Sequence, residues 1–582
     1  VIGALRHARE GAVDHPNRWR SAVLKSGKRK LLLTALAFVA PVLWSGAGSA
    51  QDAAGTLTGV IKDASGAGVA GAFVQMRNAE RRLNFMVITH EEGKFTTNRL
   101  PAGKYVVQAI GGEQQSAPSA PIEVAAGKSA AVDLALNVAR APALPPAWPG
   151  REPGFRGEEA DAAQAAMVRL PDGDGKAIVE AKCMFCHDAQ RIVRQRNDQA
   201  RWGQLLGTMK AYATGSTLAK PITDDEEKTL LTYMTANFGP GAGGAKPKPD
   251  PLSRLPRTLQ PAEARDYIVV EYDLTNGKAE PHEMAVDPQG NGWVSQRVGG
   301  KIGRLDVHTL NYVEYTPPAA NSPAVRLNAI RRGNNGEFWM VDGGPNRRWL
   351  SFDPKTEQFF VYNLPATKAG SASGNTMRVL PDNTVWLAAL AANQVIRLDP
   401  ASKQFTIWDV PAGVRNNKSA NPYGMAADGA GYVWIVENAV DQVARIDPKT
   451  GNFEEFPLPV KDPVARKMGS DWDGNVWVGL HGAGKLLKID YKTLQMTQFT
   501  PPTADAGVYL ADPDMKSHVL WATEQHVDKL ARLDPATGTW TEFPLMSAET
   551  DVRRLEVDPN NPNRVWYSGV VSSKVGFIEL LK

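Results

Sequence analysis

Tryptophan recurs through the second half of this chain at a nearly fixed step. Trp293, Trp339, Trp386, Trp434, Trp477, Trp521 and Trp566 lie 43 to 48 residues apart. Each sits in a phrase such as "DGNVWVGL" or "AGYVWIVEN". Most are followed by "RLD" or "RID", then a "DPKTG"-type turn and a strand such as "NFEEFPLP". Units of this length with four short alternating segments bury their apolar residues against neighbouring units, and their closed form is a β-propeller. The Asp-Pro-x-x-Gly turn suits a type I turn finished by Gly at positive φ. Seven tryptophans predict seven blades. The last repeat stops at "SKVGFIELLK" without an outer strand, and an orphan, "YIVVEYDL" (267–274), precedes the first. Pairing the orphan with the last blade is expected to close the ring and remove an exposed sheet edge.

A chain of 582 residues exceeds one hydrophobic core, so further domains are expected ahead of the repeats. In residues 1–50 a basic stretch (Lys25, Lys28, Arg29, Lys30) precedes the apolar run Leu31–Trp44 and small residues up to Ala50. This is the layout of a Sec signal peptide cleaved near Ala50, which predicts a periplasmic protein with no membrane contact beyond the export signal. The first 50 residues hold eight of the 66 Lys/Arg and two of the 62 Asp/Glu, leaving 58 basic and 60 acidic residues, a formal net of −2. With that balance no nucleic-acid partner is expected.

Both cysteines of the chain fall in "AKCMFCHDAQ" (181–190). A disulfide across two residues would staple almost nothing. Zinc would need further Cys or His ligands nearby, and a thioredoxin-type pair would follow a strand in an α/β pattern. Cys183-Met184-Phe185-Cys186-His187 is better read as covalent attachment of one haem c, with each thiol bonding a vinyl group and His187 as axial iron ligand. Around it, "DGDGKAIVEAKC", "DQARWGQLLGTMKAYA" and "TDDEEKTLLTYMTANF" predict three helices, the last with an acidic first turn. Residues 160–240 thus resemble a class I cytochrome c. The resemblance implies a small all-α domain and a distal methionine; Met209 and Met234 are the candidates, and Met209 is preferred because it follows Trp202 in a "W…M" pattern. The bland alternative is that both methionines fill the core.

Residues 55–137, with "GTLTGVIKDASGAGVAGAFV", "GKF" and "LPAGKYVVQA", alternate short strands and Gly turns. They resemble the carboxypeptidase regulatory-like family, which implies an Ig/transthyretin-like β-sandwich with a structural role. Pro-rich linkers are expected at 138–159 and 241–265. The fold class is therefore mainly β and multidomain: sandwich, cytochrome c domain and seven-bladed propeller (266–582).

The phrases "PHEMAVDPQGNGWVSQRVGGKIGRLD" and "PYGMAADGAGYVWIVENAVDQVARID" resemble the virginiamycin B lyase (streptogramin lyase) family. That likeness implies a divalent metal such as Mg²⁺, held by a His early in an inner strand and a Glu fourteen residues later. Here the His position reads His282, Asn328, Asn375, Tyr423, Arg466, Tyr509 and Arg553. The Glu position reads Gln296, Asp342, Ala389, Glu437, Leu480, Glu524 and Gly569. No blade carries both. The two sets are expected to line the mouth of the channel, where His282, Asp342, Tyr423, Glu437, Arg466, Tyr509, Glu524 and Arg553 would bind a small polar or phenolic molecule. His481 and His526 lie near the same rim.

The leading expectation is an exported haem c redox protein whose cytochrome exchanges electrons with a periplasmic donor or acceptor protein while the propeller binds or oxidises a small molecule. One alternative is a non-enzymatic electron-transfer or docking subunit for a separate dehydrogenase. Another is a metal-dependent lyase with an appended cytochrome, disfavoured by the missing His/Glu pair.

Overall fold

In the computed structural model each tryptophan phrase becomes the second strand of an antiparallel sheet, four-stranded in blades one to six and part of a ten-stranded sheet in blade seven. The structure describes residues 54–139, 170–183, 192, 197–215, 220–239 and 259–581, apart from short stretches at 321, 323–324, 344–345, 366–373, 375, 391, 417–418, 461–462, 505 and 548–549. The expected leader, residues 140–159 of the first linker, Cys186, His187 and Asn375 lie outside the described residues.

The inner strands of blades one to seven are Pro281–Val286, Leu327–Arg332, Thr376–Val379, Pro422–Ala427, Ala465–Ser470, Val508–Asp514 and Val552–Val557. Each meets the next, and the seventh returns to the first, so the sheets form a ring. The seven repeat tryptophans are the anchors, none more than 3% exposed. Six stack on an aromatic residue of their blade's outer strand, Trp386 on Trp408 with centroids 5.2 Å apart and planes within 5°. On the intervening strand the "RLD/RID" arginines Arg304, Arg397 and Arg445 pair directly across from Trp293, Trp386 and Trp434, with guanidinium carbons 5.8–6.0 Å from the rings. Asp287, Asp428 and Asp471, opening the first turn of their blades, each accept a hydrogen bond from the indole Nε1 of Trp293, Trp434 and Trp477 at 2.7–2.9 Å. In these three blades a turn carboxylate satisfies the one polar atom of the buried ring, and in blade three Thr384 Oγ1 does the same for Trp386 at 2.9 Å.

Five strands set the frame of the N-terminal module: β1 (Gly55–Lys62), β2 (Phe73–Asn78), β3 (Leu83–Ile88), β4 (Lys94–Leu100) and β5 (Gly103–Gly111). One sheet runs β4–β1 and on to Ser129–Ala131; the other runs β5–β2–β3. Leu57, Ile61, Val74, Met76, Phe85, Phe95 and Tyr105 fill the space between them.

The orphan strand β6 (Tyr267–Asp273) pairs antiparallel with β7 (Lys574–Leu580) along its whole length, from Tyr267 opposite Leu580 to Asp273 opposite Lys574. Its other edge pairs with β3, from Ile268 opposite Val87 to Tyr272 opposite Leu83. The ring is therefore closed by β6, and the sandwich continues the sheet of blade seven outward. Burial follows: residues 267–272 are all at most 8% exposed, as in a central strand. The one charge there, Glu271, is matched by Tyr567 Oη (2.7 Å), Ser547 Oγ (2.6 Å) and Lys574 Nζ (3.2 Å). The second linker also differs from expectation at its end. Gln260 N–H donates to Gly71 O (2.9 Å) and Arg265 meets Glu91 (2.9 Å), so residues 259–265 run along the sandwich.

Between the linkers, helix α1 (Gln199–Gly215) packs against α2 (Asp224–Phe238). Thr223 caps α2 in a reciprocal box with Glu226, beneath a first turn of four acids that complements the helix dipole. A short helical stretch, Lys176–Ile178, continues as a π-helical turn, Val179–Cys183. Lys182 ties it to Glu226 at 2.6 Å. Among the described residues no helix is long and apolar enough to cross a membrane.

Candidate functional site at the channel mouth

The mouth of the ring is built by one backbone device used repeatedly. In five blades the residue just before the inner strand is left-handed: Glu280 (φ 51°), Asn421 (φ 54°), Val464 (φ 39°), Gly507 (φ 64°) and Asp551 (φ 54°). Four are not glycine, and the β-branched Val464 is the most strained. Immediately afterwards the register between inner and second strands slips in six blades, between Pro281 and Glu283 in the first and between Val552 and Leu555 in the last. Such a bulge re-aims side chains at a strand end.

The bulges bring together His282, Tyr423, Arg466, Tyr509 and Arg553, all buried. The hydroxyls of Tyr423 and Tyr509 are hydrogen-bonded to each other. Arg466 lies over both rings, 5.6 and 5.9 Å from the centroids. His481 stands edge-on to Tyr509 at 5.6 Å and to His526 at 4.4 Å, and its Nε2 contacts Gln525 Oε1 at 2.7 Å. Gln525 also donates to Asp551, which holds Arg553 through Nη2 (2.9 Å) and Nε (3.2 Å). Arg553 Nη1 in turn reaches His282 Nε2 at 3.4 Å, while His282 Nδ1 sits 2.5 Å from Asn328 O. That pair of contacts sets the tautomer: Nδ1 carries the proton and Nε2 accepts. Burial, then the charges of Arg553, Arg297 and Lys467, hold the His282 pKa well below its ordinary value. Burial likewise depresses His481, with His526 and Arg466 adding, and raises Tyr509, with Tyr423 adding. The result is a neutral-imidazole, tyrosine and arginine wall.

Asp342, Glu437 and Glu524 do not join this wall. Each shares the strand face of the residues that pack on the preceding blade, as Val433 and Ile435 do beside Glu437. Asp342 is committed to Arg348 (3.1 Å), the Arg326 N–H (2.9 Å) and Asn346 (3.0 Å). Glu524 faces Glu542, itself held by Lys529 and Thr503 at 2.6 Å, and burial with that neighbour pushes Glu524 well up. In blade four the lysine position is Gln442, so the carboxyl oxygens of Glu437 have no hydrogen-bond partner among the described residues. Burial, then the like charge of Glu455, pushes Glu437 up to about 8, against the opposing Arg415.

Sequence reasoning missed the layer beneath the mouth. Glu283 forms ion pairs with both Lys467 and Arg331, and Arg554 pairs with Glu556 (2.9 Å) and Asp512 (3.3 Å). The signal was present as charged doublets in apolar inner strands: His282-Glu283, Arg466-Lys467 and Arg553-Arg554. Among the described residues no three His, Cys, Asp or Glu are grouped so that they could hold a metal ion.

On the helical segment, Cys183 ends the π-helical turn, and both it and Met209 lie half-buried against one cluster with Trp202, Leu206, Tyr233 and Phe238. Met234 is inside that cluster, 2% exposed. The segment touches the mouth directly. Arg201 on α1 is ion-paired with Glu280, whose other oxygen takes Arg297 at 2.5 Å; Lys278 meets Asp198 at 3.6 Å. Glu280 is the left-handed residue two positions before His282.

Residues 327–581 match the virginiamycin B lyase family. Residues 56–137 match the carboxypeptidase regulatory-like domain. The lyase match starts at blade two, leaving His282 before it. No curated protein matches the chain in sequence. Similar solved structures include virginiamycin B lyase from Staphylococcus aureus, 20% identical with a TM-score of 0.47 over 54% of this chain and 99% of that one. A streptogramin B lyase is 21% identical, with a TM-score of 0.48 over 54% and 98%. Kuenenia stuttgartiensis hydrazine synthase is 11% identical, with a TM-score of 0.43 over 53% and 97%.

Proposed function

We propose that this chain is an exported electron-transfer protein in which a covalently held haem c serves the propeller mouth, where a small polar or phenolic molecule binds or is oxidised. The observation that carries the reading is the Arg201–Glu280–Arg297 bridge, which ties the CxxCH-bearing helical segment to the loop leading into His282. Two of the four attachment points, Cys183 and Met209, are described, and both border one apolar cluster while half-buried, the setting a flat apolar macrocycle needs. Bound there through Cys183, Cys186, His187 and Met209, a haem supplies a one-electron centre. The chain's own part is recognition: Arg466 and the Tyr423–Tyr509 pair offer cation–π and hydroxyl contacts to an aromatic ring, and a polar group on that ring would take over the Arg553 Nη1 contact that His282 Nε2 now holds at 3.4 Å. Periplasmic residence and a partner that takes the electron onward belong to the same proposal.

Haem absorbance under a panel of phenols, alcohols and amines tests it. Reduction by one class, slowed at least tenfold in Arg201→Glu while dithionite reduces both proteins alike, is expected. Reduction by none of the panel would sink the substrate reading, and reduction only with a co-purified dehydrogenase would make the chain a docking subunit. The family match favours a second reading, a metal-dependent lyase. Against it, both ring nitrogens of His282 are engaged, one by an arginine that repels a cation.

A further inference from the structure

We infer that the outer strand of blade two, Gln358–Asn363, is a dimerisation edge that pairs antiparallel with the same strand of a second copy of this chain. The edge lies on the outside of the ring, so its role is independent of the haem reading and of any ligand at the mouth.

An outermost strand presents a row of backbone N–H and C=O groups, and proteins blunt such edges with charge, proline, short length or a covering element. The other six blades here are blunted in those ways. The outer strands of blades one, three, four and six carry Glu314, Asp409, Glu454 with Glu455, and Glu542. That of blade five spans four residues, Met496–Phe499, and Pro501 and Pro502 follow it. In blade seven the edge of β7 is covered by β6, which β3 covers in turn. Blade two differs. Its outer strand reads QFFVYN, six residues with neither a charge nor a proline, and among the described residues one side of it pairs with no strand. Phe360 and Val361 at its centre are 44% and 40% exposed. Val313 of blade one, 41% exposed, adds to the patch. It shares a strand face with Tyr315, whose hydroxyl donates to Glu357 at 3.3 Å just ahead of the blade-two strand.

The strand is complementary to itself. Leu364 N–H donates to Arg347 O at 3.1 Å. By the alternation of an antiparallel ladder, that bond turns the N–H and C=O groups of Phe359, Val361 and Asn363 outward, where a partner strand meets them. A two-fold axis normal to the sheet keeps each face on its own side, so residues of like parity stand opposite one another. Centred on Phe360, it sets Phe360 against its own copy, Phe359 against Val361 and Gln358 against Tyr362. The three central pairs are apolar, and Glu357 falls opposite Asn363, so no like charges meet. In blade four the same operation sets glutamate against glutamate. A copy of this chain therefore fits the blade-two edge and is repelled from its charged counterparts.

Sedimentation velocity of the full chain over a roughly hundredfold concentration range tests this. Reversible association to twice the chain mass is expected. Because residue 360 faces its own copy, Phe360→Lys and Phe360→Glu each set two like charges side by side, and each is expected to weaken association about tenfold or more. An equimolar mixture of the two variants is expected to recover the dimer, since lysine then faces glutamate. Val414→Lys, on the short helix Pro411–Arg415 and 60% exposed, is expected to leave association unchanged. Hydrogen exchange reads the same edge without substitution: the amides of Phe359, Val361 and Asn363 are expected to slow as concentration rises. A wild-type chain that keeps the single-chain mass throughout overturns the inference, whatever other protein the edge then captures. So does a dimer that Phe360→Lys leaves intact, a mixture of folded variants that stays monomeric, or edge amides indifferent to concentration.

Discussion

Glu437 carries a proton that the unfolded chain would release near the ordinary 4.5 and that the folded chain holds up to about 8. Between those values the folded state binds more protons, so this residue makes stability fall as pH rises through the window and level off above it. Glu437→Gln removes the effect. Denaturant titrations at stepped pH are expected to show little difference near pH 4.5 and a variant more stable by on the order of 3 kcal/mol at pH 9. A variant no more stable than its parent at pH 9 would contradict the burial argument. The histidines act in the opposite sense. His282 and His481 have depressed folded-state values, so the stability they allow is complete above the ordinary 6.5 and is lost as pH falls below it. His481→Asn is expected to flatten that acid limb between pH 6.5 and 5 in the same titrations. At this scale the sequence was partly legible. Alignment of the repeats placed His282, Tyr423, Arg466, Tyr509 and Arg553 on equivalent rim positions, and the structure brings them into one network. It did not place the carboxylates, although strand parity could have. The third residue after each repeat tryptophan lies on the opposite face from the ring, which turns Asp342, Glu437 and Glu524 toward the preceding blade.

The elements follow the spelling of the sequence closely where local chemistry decides. "TDDEEKTLLTYMTANF" predicted α2, and Thr223 caps it with the acids in its first turn. The Asp–Trp hydrogen bond of the repeats belongs to the same class. Asp428→Ala leaves the Trp434 indole N–H buried without its partner and is expected to cost about 1–3 kcal/mol, read as a shift in the denaturant midpoint at unchanged slope. Less legible was the second role of β6. Its outer-strand character announced closure of the ring, but a strand with apolar residues on both faces also fits between two partners, and nothing in its own sequence names β3 as the second. Deleting 265–275 is accordingly expected to remove cooperative melting of propeller and sandwich together. Two-state melting of the truncated chain at the parental Tm would refute the pairing. The bulges at the mouth were equally hidden, because a one-residue register slip leaves no composition signal.

At the scale of the whole molecule, linker composition was silent about arrangement, and contacts between distant residues decide it. Arg99 on β4 meets Glu579 on β7 at 2.6 Å, and Arg201 on α1 meets Glu280 at the mouth. Sandwich and helical segment are therefore both seated on the propeller, the first along its outer side and the second beside the channel. The functional account requires that the seated helical segment hold a porphyrin. Intact-mass and absorbance measurement of the chain, exported in a host competent for c-type haem attachment, tests this most directly. The account predicts a denatured mass about 600 Da above the polypeptide and a reduced α-band that persists after acid–acetone extraction. A colourless chain at the bare polypeptide mass, produced beside a control cytochrome that acquires its haem, would contradict it.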